Sequence, residues 1–319
     1  MSTKSTITGS GSANHALSRE PSMKQPFRTL IATFIISCCT LLSSGATTGQ
    51  QIVPGTKPAG PTEPLVLMDI TFESLPPAPA FVGVARLTFP ATAGIVGGSI
   101  AGPRMFLIET GQFAVLADDP AIIWRQRDAS QTEDLPAGAE ATLVAGDLLI
   151  VHRNPPFTVV NTSDKPATLL DIVVWPPIAE RIRPFVTEAG VIFEPLVIGD
   201  ILQFPENPAR VLLQRFSMPR SAESSFELDL GPQLLYVESG VLGIAAISGT
   251  VHYSSAASNA PSSVSGRLKT LEIGDEALLT AGGAALVQAG ATGTIRNLGR
   301  TELDLLDLRF EPAPDKPAT

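Results

Sequence analysis

The sequence predicts an all-β chain of two consecutive repeats behind an N-terminal export leader. Three observations predict it. From Pro64 onward, short runs dense in Val, Ile, Leu and Phe alternate with Pro, Gly and Asp clusters about every ten residues, the rhythm of antiparallel strands. The glycine pattern recurs after about 130 residues, which fits a duplicated domain, whereas solenoid repeats run to ~20–50 residues. Helical periodicity is scarce, and its best candidate, Ile178–Val186, is short, interrupted by Pro184 and placed where a connector between repeats belongs.

The first element is the leader. Leu30–Leu42 is an apolar run of 13 residues, preceded by Lys24 and Arg28 and followed by Ser44, Gly45 and Ala46. A basic flank, a short apolar stretch and small residues at a cleavage point describe a secretory signal peptide. The run is too short to cross an apolar layer of about 30 Å comfortably. Cleavage is expected after Ala46, while an uncleaved anchor would give the same export direction and the only membrane association expected. The residues before Met23 are either a long basic flank or an extension upstream of a start at Met23. Residues 47–63, rich in Gly, Pro and Thr, read as a disordered tether.

Composition narrows the function classes. Both cysteines, Cys38 and Cys39, lie in the leader, so the remainder has no thiol, disulfide or cysteine ligand. Removing the leader's four basic residues and one acidic residue from totals of 22 and 31 leaves 18 against 30, a net charge of −12. An acidic chain without a Lys/Arg cluster is a poor partner for nucleic acid or anionic lipid. The chain offers no Gly-x-Ser-x-Gly elbow, phosphate loop or dinucleotide fingerprint. Trp and Tyr number two each, which gives sugar binding little support.

The repeats show in matched landmarks. Gly111 follows Met105–Ile108, and Gly240 follows Leu234–Val237. Gly146-Asp147 comes 35 residues after Gly111, and Gly274-Asp275 comes 34 after Gly240. Each is followed by an apolar strand, a turn, an Asn (Asn161, Asn297) and a closing strand. The expected organisation is therefore a leader (1–46), a tether (47–63), a first unit (64–177), a connector (178–190), a second unit (191–313) and a tail (314–319). Polar stretches at 125–140 and 253–266 read as equivalent long loops.

These landmarks resemble the cupin family, whose motifs run G-x5-H-x-H-x3/4-E-x6-G and G-x5-P-x-G-x2-H-x3-N. Gly102–Gly111 matches the end of the first motif, and Gly146–Asn161 has the spacing of the second. The second repeat offers Gly231–Gly240, Gly274 and, after an apparent eight-residue insertion, Asn297. The resemblance implies two tandem jelly-roll β-barrels. It also implies one divalent ion per barrel held by three His and one Glu, and here the sequence departs from the family.

The first repeat has Gly98, Ile100, Arg104 and Phe157 at the four ligand positions, with Arg104 read as a solvated side chain that repels a cation. The second has Glu227, Asp229 and Gln233, with Gly293 or Ala285 fourth. Glu227 and Asp229 alternate onto one face of a strand, and with Gln233 could hold a hard ion such as Ca²⁺ or Mg²⁺. A one-residue change of register would make both acids ordinary solvated side chains. His152 and His252 have no partner histidine in sequence, so neither builds a two-histidine site.

The ligand-pocket candidates are thus Arg104, Phe106, Phe157, Glu227, Asp229 and Gln233, with no cofactor expected. The leading reading is an exported metal-free bicupin that binds an apolar small molecule or serves as a structural module, with homo-oligomerisation open. The competing reading is a metal-dependent oxygenase or isomerase using Glu227, Asp229 and Gln233.

Overall fold

The computed structural model describes residues 61–97, 102–125, 132–151, 156–176, 186–187, 190–228, 231–255 and 268–314. The leader, His152, Asp229 and nearly all of the expected connector lie outside the described residues. Val186, at the end of the expected helix, belongs to a strand, and no helix occurs among the described residues. None of them forms a helix long and apolar enough to cross a membrane.

The first repeat runs through β1 (Leu65–Phe72), β2 (Ala80–Phe89), β3 (Gly94–Gly97), β4 (Arg104–Thr110), β5 (Gln112–Ala117), β6 (Ala121–Trp124), β7 (Thr132–Leu135), β8 (Glu140–Val144), β9 (Leu148–Val151), β10 (Phe157–Asn161) and β11 (Ala167–Trp175). After β12 (Val186–Thr187), the second follows in the same order. Its strands are β13 (Ile192–Ile201), β14 (Ala209–Met218), β15 (Glu223–Glu227), β16 (Gln233–Ser239), β17 (Val241–Ser248), β18 (Val251–Ser254), β19 (Lys269–Leu271), β20 (Glu276–Thr280), β21 (Ala284–Val287), β22 (Thr292–Asn297) and β23 (Leu303–Pro312).

Alternation of buried and exposed residues assigns each strand two faces. In β11, Leu169 and Ala167 turn one way, and Leu170, Ile172 and Val174 turn the other. Both faces are buried because the sheets stack as four layers. The outer sheet of the first repeat (β12-β3-β10-β5-β8) packs on its inner sheet (β13-β2-β11-β4-β9-β6-β7) through Phe89, Phe106, Phe113 and Leu169. In the second repeat, the outer sheet (β15-β22-β17-β20) packs on the inner sheet (β1-β14-β23-β16-β21-β18-β19) through Leu235, Ile244, Leu279 and Leu305. The two inner sheets share the third core, with Met68, Met105, Leu170, Leu213 and Leu306. Each repeat is a pair of open sheets, where closed barrels in tandem were expected.

The repeats also trade strands. β1 pairs with β14 in the second repeat's inner sheet, and β13 pairs with β2 in the first repeat's inner sheet. Both traded strands carry a bulge at the same place, after Val66 and after Pro195. The extra residues, Leu67 and Leu196, are buried in the core between the inner sheets.

Four charges sit on the approximate twofold relation. Arg86 meets Glu109 at 2.7 Å and Glu238 at 3.1 Å, while Arg215 meets Glu109 at 2.6 Å and Glu238 at 2.8 Å. Burial pushes the Glu109 carboxyl upward, but its hydrogen bonds and charge contacts with Arg86 and Arg215 more than offset this and hold it below the ordinary glutamate value. The Arg86 guanidinium is raised chiefly by its hydrogen bond to Glu109; burial lowers that of Arg215, but its contacts with Glu238 and then Glu109 more than offset this and raise it.

Register corrects one sequence correspondence. Gly146 donates its N–H to Ile108 at 2.8 Å, and the equivalent bond in the second repeat runs from Gly282 to Val237 at 2.9 Å. Gly274, bonded to Ala246 at 3.0 Å, instead matches Gly138, bonded to Ala117 at 2.8 Å. The apparent insertion before Asn297 therefore lies earlier, chiefly where residues 255–268 replace the shorter connection 125–131. Gly274 and Gly282 both turn with positive φ after a strand, so sequence alone does not separate them.

Candidate functional site

The interior of the first repeat is closed by an ion pair. β4 and β11 are antiparallel, with Phe106 opposite Asp171, so Arg104 and Asp171 project into the same core. Arg104 donates from Nε to Asp171 Oδ1 at 2.7 Å and from Nη2 to Oδ2 at 2.6 Å. The two side chains are 2% and 3% exposed, so the solvated arginine expected from the sequence is instead a desolvated one. Burial is tolerable because a planar guanidinium meets a carboxylate in a two-bond fork.

Aromatic faces complete its surroundings. The Arg104 guanidinium carbon lies 4.7 Å from the Phe106 ring centre and 4.8 Å from that of Phe157. Those rings are 5.1 Å apart and inclined at 58°. Phe157 fits because its partner across the ladder is Gly97, where a Cβ would come within 1.8 Å of the ring. Phe106 and Phe157, candidates for an apolar interior that either holds a small molecule or is filled by side chains, pack on the guanidinium.

The second repeat inverts the arrangement. Gly293 stands at the Phe157 position, and its ladder partner is Phe226, at the Gly97 position. A Cβ on Gly293 would lie 2.4 Å from the Phe226 ring, so the aromatic filler has changed strands. Ala285, the alternative fourth position, lies on β21 opposite Leu235.

Gln233 replaces Arg104, and Asp307 replaces Asp171. Asp307 is fully buried and accepts from Gln233 Nε2 at 2.8 Å, Gln214 Nε2 at 2.8 Å and Arg309 Nε at 2.7 Å. Burial pushes its carboxyl above the ordinary aspartate value, and the Arg309 charge and the three donors only partly counter this. With Gln233 neutral, the countercharge comes from Arg309, two residues along the same strand and one-third exposed.

Arg309 reaches a cleft of about 110 Å³ lined by Glu227, Leu228, Pro232, Phe310 and Glu311. Glu227 is exposed at the end of β15. Its expected neighbour Asp229 lies outside the described residues. Of the six candidates, Arg104, Phe106 and Phe157 come together in the first repeat, while Glu227 and Gln233 stand at the cleft and in the core of the second.

Asp171, Asp307, Gln214 and Arg309 were not singled out from the sequence. A signal existed, because Leu169-Leu170-Asp171 and Leu305-Leu306-Asp307 place an aspartate at the same point of two apolar strands. His252 hydrogen-bonds Thr270 at 3.2 Å through Nδ1, and burial lowers its pKa.

A divalent ion does not fit the described residues at either position. In the first repeat, a guanidinium, which offers donors and no lone pair, sits between two rings. In the second, Arg309 brings positive charge to Asp307, and the Nε2 donors of two glutamines face its oxygens. No group of three or more His, Cys, Asp or Glu side chains able to share an ion occurs among the described residues.

No protein-family model matches the sequence, and no curated protein matches it at a significant level. Comparison with solved structures pairs the chain with cupin-domain proteins at low identity. A cupin 2 conserved barrel domain protein from Leptotrichia buccalis is 12% identical, with a TM-score of 0.33 over 79% of this chain and 97% of that one. The oxalate decarboxylase of Lactobacillus farciminis is 9% identical, with a TM-score of 0.42 over 80% and 87%. Procruciferin, an 11S globulin from Brassica napus, is 8% identical, with a TM-score of 0.39 over 82% and 86%.

Proposed function

We propose that this chain is an exported, metal-free bicupin that acts as a binding or structural module without catalysis. The observation that supports it is the Arg104–Asp171 pair, which fills the position where the family's acidic ligand would stand with a cation of the protein's own. In the family, chemistry resides in the metal site rather than in the fold, so a replaced site argues against catalysis. The export assignment rests on the Leu30–Leu42 leader. An apolar ligand loses its support in the first repeat, because Phe106 and Phe157 pack on Arg104. Binding is accordingly assigned to the second repeat.

Elemental analysis tests the proposal. Protein recovered from its exported location, without chelator or a metal-binding tag, should carry no stoichiometric metal. One metal per chain would overturn the reading in favour of the oxygenase or isomerase alternative, which draws on the Glu227 carboxylate, without a side-chain partner among the described residues. In that case, joint Glu227→Ala and Asp229→Ala substitution should abolish metal uptake.

A further inference from the structure

The second-repeat cleft carries charges of both signs. Arg309 is anchored through Nε to Asp307, and its Nη atoms carry no hydrogen bond to any described residue. Its orientation is fixed from below, because Asp307 is itself held by Gln214 and Gln233. An outward pair of N–H donors on a preorganised guanidinium suits a carboxylate.

On the same cleft, the Glu227 carboxylate has no side-chain partner among the described residues, whereas Glu311 is taken by Arg210 at 3.3 Å. Two acids disfavour a simple anion, and Arg309 disfavours a simple cation. The volume, about 110 Å³, is well below the ~300–1,000 Å³ of pockets for drug-sized ligands, so the occupant is small. In the first repeat, the positions of Arg309, Phe310 and Glu311 hold Val173, Val174 and Trp175, so the charges are confined to the second repeat.

We propose that this cleft binds a small zwitterion of the amino-acid class, its carboxylate on the outer edge of Arg309 and its ammonium on Glu227. The inference rests on the assignment of binding to the second repeat. It makes the buried Asp307 network the support that aims Arg309.

Calorimetric titration of the intact protein with glycine, acetate and methylammonium, each in excess chelator, tests it. Glycine should bind saturably, and each single-charge probe should bind about tenfold more weakly or worse. Glu227→Gln, at an exposed position, should leave melting unchanged and weaken glycine about tenfold, because one charge pair is lost. Arg309→Lys, which keeps the charge and loses the fork, should weaken glycine while leaving methylammonium unaffected. Equal binding of acetate and glycine, or unchanged glycine binding in Glu227→Gln, would overturn the proposal, as would the absence of glycine binding. A metal-containing protein that still binds glycine under chelator would sink only the metal-free reading. A metal-free protein that ignores glycine would sink only this one.

Discussion

The first repeat neutralises its buried aspartate from within, and the second does so from the surface. Asp171 has Arg104 beside it in the core, with both ends of the pair desolvated. Asp307 has two amides beside it, and its countercharge enters along the strand from a partly exposed Arg309. The aromatic filler follows suit, standing on β10 over Gly97 in one repeat and on β15 over Gly293 in the other. Paired changes of this kind preserve volume and charge balance while relocating both. One repeat is left sealed, and the other keeps a charged group at its rim.

The largest expected effect comes from breaking the sealed pair. Arg104→Met alone strands a buried carboxylate and should cost about 3–5 kcal/mol in urea unfolding. Adding Asp171→Leu should recover most of that loss, because well-packed apolar replacements of buried ion pairs are often neutral. A single substitution that costs no more than a surface change would show that water reaches Asp171 and would remove the contrast between repeats.

Next comes the aromatic exchange. Phe157→Gly should cost about 3–5 kcal/mol by opening a cavity, and Gly97→Ala about 1–3 kcal/mol by forcing the ring aside. Combining Phe157→Gly with Gly97→Phe rebuilds the second repeat's arrangement in the first. The pair should be more stable than Phe157→Gly alone, and a double variant no better than that single one would mean that the two fillers are not equivalent.

The smallest effect is a matter of pH. Asp307 is raised above its ordinary value, so the stability it contributes is full below the unfolded aspartate pKa and is lost as pH rises through the folded one. Glu109 is lowered, so its contribution is present above the unfolded glutamate pKa and is lost as pH falls through the folded one. Stability measured against pH should therefore fall less on the alkaline side in Asp307→Asn, and less on the acid side in Glu109→Gln. A change of the opposite sign in either variant would reverse the assignment of that carboxylate.

The strands and the repeat were legible because burial on alternate residues and glycine turns leave a periodic trace. Arg104, Phe157 and Gln233 were found because motif spacing fixes their places on opposing strands. Their partners were harder to see. Asp171 and Asp307 are ordinary letters until the ladder sets them beside Phe106 and Leu235, and the pairing of Gly282 rather than Gly274 with Gly146 depends on which backbone carbonyl each amide reaches. Arg104 was misread because exposure is a property of the fold around a residue. Its charge suggested solvent, and a carboxylate 67 positions away supplied the alternative.

The traded first strands bear on the order in which this chain can become a folded object. β1 finds its ladder partners 137 to 150 residues downstream, in β14, and β2 waits for β13, more than 100 residues on. A chain emerging from its N-terminus therefore has no finished inner sheet until the start of the second repeat has appeared, and the β2 edge stays open until then. Loop closure over such distances is slow, and unpaired edges invite foreign strands in the interval. Interrupted synthesis between the repeats would release an incomplete sandwich with a bare edge at β2, and its first strand would have no partner.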